Sequence, residues 1–198
     1  MKKHEIIFTL SDTEQIIIKL EKNLEDINCC DESSIQLIMD KHTYLLSHDS
    51  ISEQMYSLSH LLTEALANRL QLHESITKDI GYLYNEDLHW TFNEELSKRP
   101  PHLVHVQENN WWVGDKHNLW CHEYQSWIYN DAQNNIIFEL TPLYPGLFDT
   151  EEKKYPVPFK EWMQNYKPFL MRTIPREVAQ KWLEQANSIL KTIEVNVH

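Results

Sequence analysis

The chain has 198 residues, 41% apolar and 24% charged, with a net charge of −12, which suits one globular domain with its own core and excludes a disordered or disulfide-stapled chain. No apolar run approaches the ~18–20 residues of a membrane helix, and "IIFTL" near the start is too short for a signal peptide, so a cytoplasmic protein is expected. Residues 1–150 hold 24 acids against 10 bases, and between Arg99 and Lys153 only Lys116 opposes eight acids; such a surface repels phosphate backbones and draws basic partners.

"HEIIFTL" is rich in β-branched and aromatic residues and predicts a short strand. Ser11-Asp-Thr-Glu14 has the form of a capping box, and Ile17, Leu20, Leu24 and Ile27 follow at helical spacing. A helix is expected there, although the run Ile16-Ile17-Ile18 favours a strand. "SSIQLIMDKHTYLLSHD" predicts a strand or hairpin with Ile35, Leu37 and Met39 on one face. A second capping box, Ser50 to Glu53, opens an amphipathic helix of Met55, Leu58, Leu62, Ala65 and Leu72, ending near residue 72.

One or two helices fit residues 76–97. Pro100-Pro101 marks a turn between two halves, or a boundary. Beyond it "LVHV", "NWWVGD", "LWCHEYQSWIYND" and "NNIIFELTPLYP" predict strands, the last two paired through Asp131–Asn135. Trp127 and Tyr129 would share one face, and Ile136, Phe138 and Leu140 one face of the partner strand. From Phe159 onward the reading is helical, with Pro175 in a first turn and Val178, Trp182, Ala186, Ile189, Leu190 and Ile193 as an apolar stripe. The expected class is α+β: a single domain over residues 1–198, with an antiparallel sheet packed against several helices.

The candidate chemistry gathers between Asn109 and Trp127. His102-x-x-His105, His117 and His122 match no zinc signature, so no metal or cofactor is expected. Cys29, Cys30 and Cys121 form no disulfide framework and read as reduced thiols. Cys121 adjoins His122 and Glu123, but neighbours on a strand point to opposite faces. A cysteine-dependent hydrolase would need a base from elsewhere, such as His89, His105 or His117. With glycine only at 81, 114 and 146, a phosphate-cradling loop is excluded.

Recognition remains. Trp120, Trp127, Trp162 and Trp182 fit core positions. The adjacent Trp111 and Trp112 cannot both face inward on a strand, so they are the candidate anchors, with Asp115, Asp149, Glu151 and Glu152 as steering charges.

The stretches "SWIYNDAQNNIIFELTPLYP" and "EWMQNYKPFLMRTIPREVAQKWLEQANSIL", within residues 126–190, resemble the small acidic immunity proteins of contact-dependent inhibition and related polymorphic toxin systems. The resemblance implies a non-catalytic protein that binds its cognate toxin domain and occludes the active site or substrate groove; the charge of −12 points to a basic toxin. It assigns no functional residue. A cysteine hydrolase and a regulatory binding protein are the alternatives.

Overall fold

The computed structural model describes residues 4–76, 78–93, 103, 105–106, 111–112, 114–148 and 154–196. The first four strands, β1 (His4–Thr9), β2 (Glu14–Leu20), β3 (Glu32–Met39) and β4 (His42–Ser50), form an antiparallel meander in chain order. Its pleat sets one apolar face: Phe8 pairs with Ile16 and Ile16 with Leu37, while Ile6 pairs with Ile18 and Ile18 with Ile35. A bulge opposite Ile35 and Gln36 lets Leu46 enter the core as well.

The helix expected after Ser11 is a strand. Ser11 Oγ still meets Glu14, at 3.4 Å, but inside the β1–β2 turn, where Leu10 N–H and Ser11 N–H both donate to the Glu14 carbonyl. The β-branched triplet prevails over the capping box because β1 and β3 flank it and bury every second side chain.

Helix α1 (Ile51–Leu66) begins where its capping box places it, with Ser50 Oγ accepting from Glu53 N–H. It ends six residues earlier than expected. Asn68 adopts φ 55°, Asn68 N–H donates to the Ala65 carbonyl and Arg69 N–H to the Glu64 carbonyl, a left-handed stop for which asparagine is suited. Gln54 points inward from α1 and ties it to the meander, accepting from Ser33 Oγ at 2.6 Å and donating to Ser47 Oγ at 3.0 Å.

Helix α2 (Ile80–Asn93) is followed by the short pair β5 (His105–Val106) and β6 (Trp111–Trp112); Pro100-Pro101 lies outside the described residues. A second antiparallel sheet contains β7 (Asn118–Cys121), β8 (Tyr124–Asn130), β9 (Ile136–Pro142) and β10 (Leu170–Ile174), in the order β10-β9-β8-β7. The β8–β9 hairpin turns through Asp131–Asn135 as expected, with Asp131 Oδ1 accepting from Gln133 N–H and Asn135 N–H. Strand β10 interrupts the stretch expected to be helical, leaving a short α3 (Phe159–Gln164) before it and α4 (Arg176–Asn196) after it. The architecture is α+β, with four helices among the described residues.

Both faces of the second sheet are covered. Ile128, Ile136, Phe138 and Leu140 join one core with the meander, α1 and α4, in which Trp182 meets Phe8 edge-on at 5.5 Å. Trp127, Tyr129 and Ile137 face the other way, toward Ile80 and Leu83 of α2.

Candidate functional site

The proposed anchors part company. Trp112 is 2% exposed, packed against Trp127 at 6.1 Å and Tyr84 at 5.9 Å, with Tyr84 edge-on to Trp127 at 4.9 Å. A Cβ on Gly114 would strike the Trp112 indole, so glycine is what lets that ring fold back over the chain. Trp112 therefore packs as a core residue, with its ring turned away from the surface where an anchor would stand. Trp111 pairs with Val106 through its backbone, and its side chain lies outside the description. Asp115, itself half-buried, opens the 3-10 turn Asp115–His117. Asp149, Glu151 and Glu152 lie outside the described residues. Trp120 and Trp127 are buried core residues, as is Trp182, while Trp162 is half-buried against Tyr144 and Tyr166.

The reactive residue types of this stretch are dispersed. His117 is fully buried. Desolvation, with Lys116 adding to it and the Ile128 backbone opposing, pushes its pKa down to about 3, so the ring stays neutral at ordinary pH. Cys121 is exposed on the edge strand β7, yet burial of its sulfur raises the thiol pKa, the opposite of what a nucleophile needs. Among the described residues no three His, Cys, Asp or Glu side chains are placed to share a metal.

The α2 side of the second sheet holds a polar network with no sequence signature. Glu139, one of the eight acids of the cation-poor stretch, is fully buried. Its Oε2 accepts from Tyr129 Oη at 2.8 Å and its Oε1 from Thr141 Oγ1 at 3.2 Å. Thr141 Oγ1 in turn accepts from Trp127 Nε1 at 2.9 Å and from Tyr166 Oη at 3.5 Å. The Gly81 N–H in the first turn of α2 also reaches the carboxylate, as helix N-termini favour. Burial raises the Glu139 pKa to about 7, and the charge of Asp79 adds to the rise, while the Tyr129, Thr141 and Gly81 hydrogen bonds pull it back. Burial likewise pushes up the hydroxyl pKa of Tyr129 and Tyr166. Tyr166 lines a cavity of about 390 Å³ with Trp162, Tyr155 and Pro142. The arrangement can hold a proton near neutrality, but Glu139 itself has no exposed surface. Period-2 alternation places Glu139 opposite Trp127 in the β8–β9 register, and that is the only sequence signal that could have found it.

Exposed apolar surface occurs elsewhere on this sheet. The β7–β8 turn carries His122 and Glu123, and the 3-10 turn Pro145–Phe148 lies against it. Together with Leu143 they line a shallow depression of about 320 Å³, beside which Phe148 is 66% exposed. Phe148 is followed directly by Asp149 and, two residues on, by Glu151-Glu152.

Comparison with family models, with curated proteins and with solved structures finds no match.

Proposed function

We propose that this chain is an immunity protein, cytoplasmic and non-catalytic, that binds a basic toxin domain and blocks its active site. The observation that carries the reading is the joining of an exposed aromatic to a cation-poor acidic stretch, Phe148 beside Glu123 and ahead of Asp149, Glu151 and Glu152. Aromatic anchors supply desolvated contact area, and a field of one sign speeds encounter with an oppositely charged partner. With Trp112 withdrawn into the core, Phe148 takes its place as anchor, and Glu123 joins the steering charges Asp115, Asp149, Glu151 and Glu152. The raised thiol of Cys121 weighs against the hydrolase alternative.

The test takes the gene immediately upstream, which on this reading should encode a secreted protein with a toxic C-terminal domain. Expression of that domain should stop growth, and co-expression of this chain should restore it. The purified pair should form a 1:1 complex that weakens as salt rises. Phe148→Ala and Glu123→Lys should each weaken it by about tenfold or more, about 1.4 kcal/mol. An upstream gene encoding no such toxin, or a toxin domain that ignores this chain, would sink the proposal.

A further inference from the structure

Cys29 and Cys30 occupy a turn just before β3, at the opposite end of the sequence from the acidic stretch. Both are free and exposed, and their sulfurs stand 3.5 Å apart. The turn is fastened from several sides. Cys30 N–H donates to Asn28 Oδ1 at 3.0 Å, and Asn28 N–H donates to Asp31 Oδ2 at 2.8 Å. Lys22 Nζ holds Asp31 Oδ1 at 2.6 Å. From α1, Ser52 Oγ donates to the Cys29 carbonyl at 2.7 Å, and Ile51 N–H to the Asp31 carbonyl at 3.0 Å. The two thiols are thus presented side by side on a backbone anchored to a helix N-terminus.

The spacing selects a chemistry. Adjacent Cα atoms across a trans peptide are about 3.8 Å apart, whereas disulfides span about 4.4–6.8 Å between Cα atoms. A direct S–S bond therefore fits poorly. A single bridging atom fits well: with bonds of about 2.3 Å to each sulfur, a length typical of thiolate ligation, a 3.5 Å separation gives an angle of about 100° at the bridge. That is the geometry of a pyramidal three-coordinate centre. A linear two-coordinate metal would require the sulfurs to spread to about 4.6 Å at the same bond length. Beside the thiols a groove of about 660 Å³ runs between α1 and α4, lined by Cys29, Ser52, Tyr56, Leu190 and Ile193 among others. Tyr56, 65% exposed, forms its apolar rim.

We propose that Cys29 and Cys30 are a vicinal dithiol site for trivalent arsenic compounds, with the organic substituent of an organoarsenical lying in the groove along Tyr56, Leu190 and Ile193. The reaction of an arsine oxide forms two As–S bonds and breaks both bonds to the oxygen, which leaves as water carrying the two thiol protons. Arsenic stays trivalent and the sulfurs stay at the thiol oxidation level, so no oxidant is needed. The site is independent of the toxin-binding reading.

The test is titration of the reduced protein with phenylarsine oxide, followed by thiol counting and intact mass. One equivalent should consume two thiols and leave Cys121 unmodified. The adduct should resist excess monothiol and release to a dithiol such as 2,3-dimercaptopropanol. Because the second As–S bond forms intramolecularly, Cys29→Ser and Cys30→Ser should each weaken binding about 100-fold or more, while Cys121→Ser leaves it unchanged. Both cysteines of the pair are exposed, so these variants should keep the wild-type circular dichroism spectrum. Tyr56→Ala should weaken phenylarsine oxide capture and leave arsenite capture unchanged. A Cys30→Ser variant that binds as tightly as the wild type, or an adduct displaced by monothiol, would overturn the site. Equal effects of Tyr56→Ala on both reagents would overturn the groove.

Discussion

Glu139 couples protonation to folding. Its pKa in the folded chain is about 7, above the ordinary 4.5, chiefly because burial penalises the charge. Below about pH 4.5 both folded and unfolded chains hold the proton. Between 4.5 and 7 the unfolded chain releases it and the folded chain keeps it, so this group's contribution to stability declines as pH rises through that window, by about 3 kcal/mol at most. Glu139→Gln should remove the decline. Urea midpoints at pH 5 and pH 8 should show the variant gaining on the wild type at the higher pH; the same difference at both would refute the linkage. Gly81 lies against the same network. An added Cβ would fall on Thr141 and on the Tyr166 hydroxyl, so Gly81→Ala should lower stability by about 1–3 kcal/mol. Helix propensity alone would raise it by about 1 kcal/mol, and the sign of the change in thermal midpoint decides between the two. In the sequence Glu139 counted only as one of eight acids in a cation-poor stretch, because side-chain alternation tells which residues share a face, not whether that face will be covered. Trp112 misled for the same reason: adjacency on a strand assigns one ring inward but not which one.

At the scale of elements, the legible parts are those whose local signals agree. The Ser50 cap, the apolar row of α1, the Asp131–Asn135 turn and the α4 stripe each combine a start or stop residue with a matching period. Ser50→Ala should destabilise α1 by about 0.5–1 kcal/mol, measurable as a lowered urea midpoint without change of fold. The illegible parts are those where local chemistry is outvoted by neighbours distant in sequence. Strand β2 follows a capping box yet pairs with β1 and β3, and β10 sits in a helical context yet pairs with β9 from Ile136 to Leu140. The β3–β4 turn uses Asp40 and Lys41 at φ 50° and 66°, a geometry that glycine or asparagine would have announced and lysine does not.

At the scale of the whole molecule, an ion pair among the described residues bridges the two four-stranded sheets. Arg172 on β10 donates through Nε to Glu14 on β2 at 2.8 Å, and the Glu14 side chain is nearly buried. That hydrogen bond from Arg172, with its charge, holds the Glu14 carboxyl below its ordinary 4.5. The sign is opposite to that of Glu139: the stabilisation is fully present above 4.5 and fades as pH falls through the lowered value. A double-mutant cycle of Glu14→Gln and Arg172→Met should therefore show coupling at pH 7 that vanishes in acid; coupling unchanged at pH 2 would refute the pair.

The packing of Trp182 on Phe8 also sets a timetable. The meander is complete in sequence by Ser50, but α4, which covers it, begins at Arg176. At a translation rate of about 5–20 residues per second, the ribosome needs about 6–25 s to cross that interval. For all of it the nascent sheet carries Ile6, Phe8, Ile16 and Ile18 without their final lid, so the growing chain offers chaperones a hydrophobic surface that the finished protein does not show.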